Sequence, residues 1–300
     1  MKKDLYYLKV LTPLHVGTGQ GVGHIDLPIY REAHTDFPAI PSSAIKGTVR
    51  TEEILRIADE TGIEPKKVEE FIEKFPGELD GNLPENVKEK VSKVACYFGS
   101  QNREGSIVFT DARILLFPVK SLRGIYALIT CPYVLTRFAE ETGKESPKLG
   151  ELDDSSCIVF EHSENKVVYG NKEVVVLEEF TFEIEGEAGQ DVLNLLDNPK
   201  IDKSRVVIVS DNVFTHMVKS YTEVQTHIKV DIEKGTVEGG ALWTEEYVPA
   251  EAVFYFFVIR QKDDEFSITN RDGVSILQLG GNTSTGKGFV EVCKDGTQES

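Results

Sequence analysis

The sequence predicts an α+β fold. Apolar segments of strand length occur near both ends of the chain and through its middle, at 4–14, 106–117, 124–130, 174–184, 205–210, 221–232 and 252–260. Helical segments begin after Pro41, Pro132 and Ser210, and the strand–strand–helix order around 106–138 is typical of an α+β sheet. A chain of 300 residues, 40% of them hydrophobic, can bury a sizeable core.

The first strand leads into a glycine-rich loop. Residues 4–14 are apolar on both faces, which predicts a central strand covered on both sides. The loop that follows has four alternating glycines at 17–23 and carries three candidate catalytic side chains, His15, His24 and Asp26. Glycine at this density lets the backbone approach a ligand closely, although a flexible turn explains it equally well.

A helix is predicted to begin at Pro41-Ser42-Ser43, where either serine can cap it. The apolar positions that follow have roughly helical spacing: Ile45, Val49, Ile54 and Ile57. Lys46 lies in the first turns, where a cation is slightly unfavourable for the helix dipole. An anion bound between Lys46 and the free backbone N–H groups would offset this, and a solvated lysine is the alternative.

Two long segments are predicted as additions to the core. Residues 52–95 are expected to be helical and acidic and to pack on the outside. Residues 138–200 are expected to be variable, and 138–172 has the polar, turn-rich composition of a surface segment. Between the additions, Asp111 is predicted to be a structural carboxylate bonded to backbone amides. Ser210 or Asp211 is predicted to cap a later helix.

Residues 228–250 are predicted to form a projecting β-hairpin. The turn signal lies at 233–236, and the arms are too polar and glycine-rich for core strands. Trp243, the only tryptophan, and Tyr247 would be available on this arm to stack on a planar or apolar partner. Alternatively, Trp243 folds back and anchors the hairpin.

Charge and cysteine usage limit the possible classes of protein. The net charge of −17 argues against nucleic acid when it is taken alone. However, the segments 38–50, 112–138 and 274–290 contain no acid, which predicts a local basic groove on an acidic protein; uneven surface charge is the alternative. The four cysteines form no CxxC pair, and we expect reduced, mostly buried thiols. No signal-peptide or membrane-spanning segment is apparent, so we expect a cytoplasmic protein.

Residues 281–288 almost match the phosphate-binding loop GxxxxGK[ST]. Gly288 replaces the hydroxyl residue that would hold Mg²⁺, and only twelve residues follow, so an ATPase or GTPase is excluded. The amides, the hydroxyls of Thr283, Ser284 and Thr285, and Lys287 can still form a concave anion site. A polynucleotide phosphate suits such a site better than a nucleoside triphosphate does.

Several motifs together resemble the RAMP superfamily of CRISPR-associated RNA-binding proteins, and within it the repeated backbone subunit of the type III-B Cmr complex. The resemblance spans residues 5–292 and rests on His15-Val-Gly-Thr-Gly, Ile25-Asp26-Leu-Pro-Ile, Ile40-Pro-Ser-Ser-Ala-Ile-Lys46-Gly, Phe98-Gly-Ser with Asp111-Ala, Thr236-Val-Glu-Gly-Gly with Glu245-Glu-Tyr-Val-Pro, and Gly280-Gly-Asn with Gly286-Lys-Gly. The final loop is shared across the superfamily, whereas the Asp-Leu-Pro and Ser-Ala-Ile-Lys-Gly pair is specific.

The resemblance implies a single RAMP domain over 1–300, with a ferredoxin-like (RRM-type) palm, an inserted helical segment and a projecting β-hairpin thumb. It implies copies stacked head-to-tail on a crRNA guide, together with other Cmr complex subunits and no membrane. The thumb would displace a base pair at regular intervals. The subunit would cleave complementary single-stranded target RNA beside it, with help from a divalent cation, Mg²⁺ or Mn²⁺.

The resemblance also implies roles for single residues. Asp26 matches the key carboxylate and is the predicted metal ligand, with His15 and Glu223 as candidate catalytic helpers. Lys46 matches the guide-binding lysine. The full predicted RNA-binding set is Lys46, Ser43, Arg50, Gly281, Asn282, Thr283, Gly286 and Lys287. Without the resemblance, Asp26 would be read as a capping aspartate before Pro28.

Two other functions remain open from the sequence. The chain would be a guide-binding scaffold without catalytic activity if cleavage were supplied by another subunit. It would be a stand-alone metal-dependent hydrolase if His15, His24 and Asp26 together held a metal ion.

Overall fold

The computed structural model describes residues 1–21, 23–77, 84–198, 200–230, 237–261, 265–269 and 274–296. The strands are β1 (Lys2–Val10), β2 (Ala39–Ile40), β3 (Gly99–Ser100), β4 (Arg103–Glu104), β5 (Val108–Phe109), β6 (Ala112–Lys120), β7 (Tyr126–Thr130), β8 (Ser156–Val159), β9 (Lys166–Tyr169), β10 (Lys172–Leu177), β11 (Phe180–Glu187), β12 (Val206–Ile208), β13 (Glu223–Val230), β14 (Val237–Tyr247), β15 (Val253–Arg260), β16 (Val274–Gln278) and β17 (Phe289–Lys294). The helices are α1 (Ser42–Thr61), α2 (Pro65–Lys74), α3 (Glu85–Phe98), α4 (Pro132–Thr142), α5 (Gln190–Leu195) and α6 (Asp211–Ser220), with 3₁₀ turns at Lys203–Arg205 and Thr283–Thr285.

One large sheet joins most of the described strands. Its order is β16-β17-β1-β15-β6-β7-β12-β8-β11-β10-β9, with β2 added on β6 and β5 on β15. The pairs β7–β12 and β8–β11 are parallel, and the other neighbours along this path are antiparallel. The fold is therefore mixed α and β, with the largely antiparallel sheet of the predicted α+β class.

The first strand is central, as the sequence predicts. β1 pairs antiparallel with β15 on one side and with β17 on the other. Its side chains are buried on both faces from Asp4 to Leu8 and again at Val10. The N- and C-terminal parts of the chain are therefore paired near one edge of the sheet, and the loop after β1 lies beside the loop before β17.

Helix α1 begins where the sequence predicts, but neither serine caps it. Pro41 is the N-cap residue and has no capping side chain; instead Asp111 Oδ1 accepts a hydrogen bond of 2.7 Å from the Ser42 backbone N–H. The predicted apolar positions of the helix are all buried: Ile45, Val49, Ile54 and Ile57. At α6, by contrast, Ser210 is the predicted cap and accepts from Val213 N at 3.1 Å.

Residues 106–117 do not form one continuous strand. The chain forms β5 and then β6, and the residues facing β15 shift by one position between them. Asp111 lies in the interruption, exposed, with its carboxylate on α1, so it is the structural carboxylate that the sequence predicts.

Residues 138–172 are not only surface, contrary to the composition. β8 lies inside the large sheet between β12 and β11, and Cys157 and Val159 are fully buried. The apolar run is only four residues long, too short for a clear periodic signal, so its burial is decided by pairing with distant strands. The predicted strand at 174–184 is likewise divided into β10 and β11 by a turn.

β13 and β14 form the predicted antiparallel hairpin, a separate two-stranded sheet. The predicted turn at 233–236 lies outside the described residues. Within the described ranges, no helix is both long and apolar enough to cross a membrane.

The four cysteines are free, and three of them are buried: Cys131, Cys157 and Cys293. Burial raises the pKa of Cys293 to about 11 and that of Cys157 to about 12. Both thiols are therefore protonated at neutral pH and unreactive, as expected for core residues.

Candidate functional site

The candidate site is built around the end of β14 that lies next to the core. Residues 243–248, called here the hairpin base, contact both glycine-rich loops. Leu27 N donates to Thr244 O at 3.0 Å, and Glu246 N donates to Leu27 O at 3.0 Å. Leu14 and Val248 exchange two backbone hydrogen bonds of 2.9 Å. The loop that carries Asp26 is therefore fixed on a strand more than 200 residues later in the chain.

Asp26 is exposed and its carboxylate is held from one side. Its Oδ2 accepts 2.8 Å from Thr244 N and 2.9 Å from Thr244 Oγ1, and its own N–H donates to Thr244 Oγ1 at 3.0 Å. The backbone N–H and then the hydroxyl of Thr244 lower the pKa of Asp26 below its ordinary value. Because its partner is 218 residues away, Asp26 is not a local cap before Pro28.

An open cleft of about 400 Å³ lies beside this carboxylate. It is lined by Gln20, Gly21, Asp26, Leu27 and Trp243. The structure therefore brings Asp26 together with the tryptophan of the hairpin. The predicted helpers His15 and Glu223 are not among the described residues that line it, and neither is His24.

His15 is buried and serves first as a fixed part of the framework. Its Nδ1 donates to the carbonyl of Glu246 at 2.7 Å, and its ring centroid lies 5.5 Å from that of Tyr247. A Cβ at position 17 would come within 2.6 Å of His15 Nε2, so only glycine fits there. His15 thus joins the first glycine-rich loop to the hairpin base.

Glu223, the other predicted helper, opens β13. It pairs with Tyr247 across the hairpin, and its Oε1 accepts a hydrogen bond from Gln225. The side chain is half-buried. Because it lies opposite Tyr247, Glu223 is close to the polar cluster described next.

Sequence reasoning assigned no role to Glu245, which is buried at the centre of the hairpin base. Its carboxylate accepts 2.7 Å from Trp243 Nε1, 2.6 Å from the Tyr247 hydroxyl, and a further bond from Asn282 Nδ2. Burial acts to raise the pKa of Glu245, but these three hydrogen bonds outweigh it, so the pKa is lowered. The available signal was a carboxylate pair, Glu245-Glu246, in the run 241–248, whose other residues apart from Thr244 are apolar or aromatic.

Glu246 points to the opposite face of the strand and is buried there. Its carboxylate accepts 2.5 Å from Arg31 Nη2, 2.8 Å from Thr222 Oγ1 and 3.0 Å from Ile29 N. Two adjacent carboxylates thus anchor two different neighbours, since alternate residues of a strand face opposite sides.

The prediction that Tyr247 is available for stacking is wrong. Its ring is fully buried, so it is not an exposed stacking surface of a projecting arm. Its hydroxyl donates to Glu245, accepts 3.0 Å from Asn282 Nδ2 and lies 3.2 Å from His227 Nε2. Burial raises the pKa of this hydroxyl, and the hydrogen bond to Glu245 adds to the rise. Trp243 folds back on His227, in line with the alternative reading of the sequence.

The second glycine-rich loop, 280–288, packs against the first. Gly281 N donates to His15 O at 2.9 Å, and a Cβ at Gly280 would lie 2.2 Å from that same oxygen. Lys287 Nζ lies 5.0 Å from the centroid of the Tyr247 ring. The hydroxyl residues 283–285 are exposed, whereas the Asn282 amide is engaged by Glu245 and Tyr247.

Lys46 lies on α1 in another open cavity, of about 950 Å³, formed with α3 and the β3–β4 hairpin. Ser43 and Arg50 line it as well. Arg50 is engaged by Glu73 and lies 3.5 Å from Glu69. No carboxylate in the described part of the chain comes within ion-pair distance of Lys46, so its charge faces the cavity.

The acid-free segment 112–138 does not provide a basic groove by itself. Arg113 is paired with Glu141 and lies 3.7 Å from Glu32, while Arg137 donates twice to Glu32, at 2.9 and 2.8 Å. Carboxylates distant in sequence therefore neutralise these arginines. Among the described residues, no group of three or more His, Cys, Asp or Glu side chains is arranged to hold a metal ion.

Comparison with known proteins agrees with this geometry. The pattern of the RAMP superfamily matches residues 7–291, a range that includes both glycine-rich loops. The Pyrococcus furiosus protein named CRISPR system Cmr endoribonuclease Cmr4 is 33% identical over 97% of this chain and 95% of its own length. The chain therefore belongs to the RAMP superfamily and, within it, to the Cmr4 family.

Two solved structures give the same result for the fold. The crystal structure of oligomeric Cmr4 from Pyrococcus furiosus is similar with a TM-score of 0.65 and 28% identity, covering 98% of each chain. A chain of the type III-B Cmr-beta complex, solved bound to cognate target RNA, is similar with a TM-score of 0.69 and 19% identity, covering 98% of this chain and 97% of that one. At that identity the second likeness concerns the fold alone.

Proposed function

We propose that the chain is a crRNA-binding filament subunit of a type III-B Cmr complex and the endoribonuclease that cleaves complementary target RNA at regular intervals. The observation that carries the proposal is Asp26: an exposed carboxylate, positioned by Thr244, at the edge of an open cleft. The Cmr4 relative named an endoribonuclease supports the reaction. The oligomeric Cmr4 structure supports assembly with further copies of the chain.

The cleavage step uses a nucleophile that the RNA brings with it. A kinked, unstacked ribose can place its 2′-OH in line with the neighbouring phosphorus, and such positioning can supply most of the acceleration. As the 2′ oxygen bonds to phosphorus, its proton passes to water and the bond from phosphorus to the 5′ oxygen breaks, which leaves a cyclic phosphate and a 5′-hydroxyl end. A carboxylate with a lowered pKa is a weak base, and its negative charge alone would repel the phosphate. Asp26 would therefore act by holding the divalent cation beside this phosphate. For His15 we propose a positioning role in place of the predicted catalytic one, because it holds the hairpin base and does not line the cleft of Asp26.

The proposal includes a divalent cation, Mg²⁺ or Mn²⁺. Asp26 fits such an ion as one ligand only, because its Oδ2 is already bonded to Thr244 and no further carboxylate lines the cleft in the described ranges. Mg²⁺ is often held in this way, by one or two carboxylates with phosphate oxygens and water. When bound, it would neutralise charge that develops on the phosphate.

Guide binding is proposed for two surfaces. Lys46 with Ser43 and Arg50 forms the first, in the large cavity at the start of α1. The second is the loop of Gly281, Asn282, Thr283, Gly286 and Lys287. The backbone N–H groups of Gly281, Gly286 and Lys287 already donate within the protein, so the side chains of Thr283 and Lys287 would meet a phosphate there. The base pairing of guide and target would carry sequence specificity, while the protein reads the backbone.

The remaining features belong to the same proposal. The chain is one RAMP domain with insertions at 52–95 and 138–200, a ferredoxin-like palm and the 228–250 hairpin as thumb. Copies stack head-to-tail, and an asymmetric contact that does not close produces a filament. Reduced, buried cysteines fit a cytoplasmic protein.

The deciding experiment compares the assembled complex with one that carries Asp26→Asn. We expect target RNA to bind as before and cleavage to fall at least about a hundredfold, because a neutral amide cannot supply the charge. Retained cleavage would remove Asp26 from the mechanism and favour the non-catalytic scaffold.

The same assay tests the stand-alone hydrolase. The buried position of His15, fixed by Glu246, disfavours a three-residue metal centre with His24 and Asp26. Isolated protein with Mg²⁺ or Mn²⁺ and without guide RNA should therefore turn over little RNA. Substantial turnover would favour that alternative.

A further inference from the structure

Some of the residues that line the cleft beside Asp26 have no role in the proposed cleavage step. Trp243 and Gln20 line this cleft together with Asp26. We propose that this cleft binds one nucleobase of the target strand, stacked on Trp243 and hydrogen-bonded by Gln20, next to the phosphate at Asp26. The inference rests on the proposed function and names the part of the substrate that the same site recognises.

The indole of Trp243 is held as a rigid stacking surface. The His227 ring lies against it, with centroids 5.5 Å apart and an interplanar angle of 16°. Its Nε1 donates to Glu245, and that carboxylate is held in turn by Tyr247 and Asn282. Since a neighbour and the ring nitrogen fix the plane, a base in the cleft would extend an ordered stack with little loss of side-chain freedom.

The size and charge of the cleft favour a base over a phosphate. At about 400 Å³ it lies at the small end of the range for ligand sites and has room for one nucleotide. Its described lining residues include the Asp26 carboxylate and no lysine or arginine, which suits a neutral planar group. The Gln20 amide can both donate and accept at a base edge. Because stacking tolerates every base, the site is compatible with specificity set by the guide.

The test is a double-mutant cycle between the protein and the RNA. Guide-loaded complexes cleave targets in which one nucleotide flanking a cut is abasic, scanned through the neighbouring positions, with the other cuts as internal references. With the unmodified protein, one abasic position should slow its adjacent cut about tenfold, the effect of losing one stacked base. With Trp243→Ala, the normal target should be slowed to a similar extent, and the abasic nucleotide should add nothing.

Three further variants make the result decisive. Trp243→Phe keeps a ring and should keep most of the abasic sensitivity, even if Trp243→Ala folds poorly. Gln20→Ala, at an exposed position, should slow cleavage of the normal target several-fold and the abasic target not at all. Tyr169→Ala removes an exposed aromatic outside the cleft and should behave as the unmodified protein.

Two outcomes separate this inference from the proposed function. If the unmodified complex cuts normally and no flanking abasic position slows it, or if the effects of Trp243→Ala and the abasic nucleotide multiply, the base subsite is wrong and the endoribonuclease stands. If the unmodified complex does not cut complementary RNA at all, the proposed function itself fails.

Discussion

Three carboxylates at one corner of the molecule differ in role because their partners differ. Asp26 is exposed and bonded from one side, which leaves it open to solvent and substrate. Glu245 and Glu246 are buried, and each accepts three hydrogen bonds. A buried carboxylate with this many donors stabilises the fold. Removing one donor would leave a buried polar group without a partner, which lowers the free energy of unfolding.

Thr244→Val tests how Asp26 is kept ionised. The variant removes the hydroxyl donor and keeps the backbone N–H. Because both bonds lower the pKa of Asp26, losing one raises that pKa part of the way towards its ordinary value. As the pH falls, the carboxylate is then protonated earlier. The acid limb of the pH–rate profile of the assembled complex should move to higher pH, with little change near neutrality.

The control for this experiment is Thr226→Val, at the residue that pairs with Thr244 across the hairpin. It should leave the acid limb in place. If Thr244→Val leaves it in place as well, ionisation of Asp26 does not limit cleavage.

At the scale of elements, α1 and the hairpin have separate tasks in the proposal. The start of α1 presents Lys46 to a wide cavity. The hairpin contributes Trp243 to the cleft of Asp26, and its base is tied into the core. Guide binding and cleavage should therefore be separable by mutation.

Lys46→Ala should weaken guide RNA binding and lower its salt dependence. Loss of one phosphate contact reduces the slope of log K against log salt by about 0.7–0.9. The measurement is guide affinity across a salt series. Lys66→Ala, an exposed lysine on α2, is the matched control and should keep the full slope. An unchanged slope for Lys46→Ala would mean that Lys46 is only solvated.

Shortening the hairpin should separate its outer part from its base. Ile228 and Leu242 are directly paired, so a two-residue Asn-Gly turn can join them in place of 229–241. This keeps Trp243 and Glu245 intact, which deletion through residue 247 would not. We expect guide binding to be retained and regularly spaced cleavage to be lost in the assembled complex. Equal loss of both would mean that the outer hairpin is structural.

At the scale of the whole molecule, the site exists because the two ends of the chain meet. β1 and β17 are neighbours, and the loops at 15–26 and 280–288 extend from them. The hairpin base then closes the arrangement through His15, Thr244 and Asn282. The candidate site is thus assembled from three segments that are distant in the sequence.

Gly280→Ala tests this junction. A Cβ there would lie 2.2 Å from the His15 carbonyl oxygen, and the residue has a φ of +79°. Overpacking and backbone strain together should lower the free energy of unfolding by about 3 kcal/mol or more. Gly286→Ala has a similar φ of +78° with no atom within 4 Å, and should cost about 1 kcal/mol. Urea denaturation of the isolated chain measures both; equal losses would contradict tight docking of the loops.

Local signals in the sequence were sufficient for most elements. The two-sided apolar pattern of 4–14 predicted a central strand, helical spacing from Ile45 predicted the buried face of α1, and Ser210 predicted a cap. The near match at 281–288 excluded a nucleotide-hydrolase loop, and the combined motifs indicated the family that the comparison confirms. Each of these features depends on residues close together in the chain.

Only the tertiary structure decided which polar side chains face each other. Tyr247 is buried and Glu245 is the centre of a polar cluster, although both lie in a strand whose sequence suggested an open arm. Asp26 and Thr244 are 218 residues apart, and no local pattern relates them. The sequence determined the elements because the residue patterns that specify helices and strands are periodic and local. The site was decided by the sheet, because the burial and the pKa of each carboxylate depend on partners that only folding brings near.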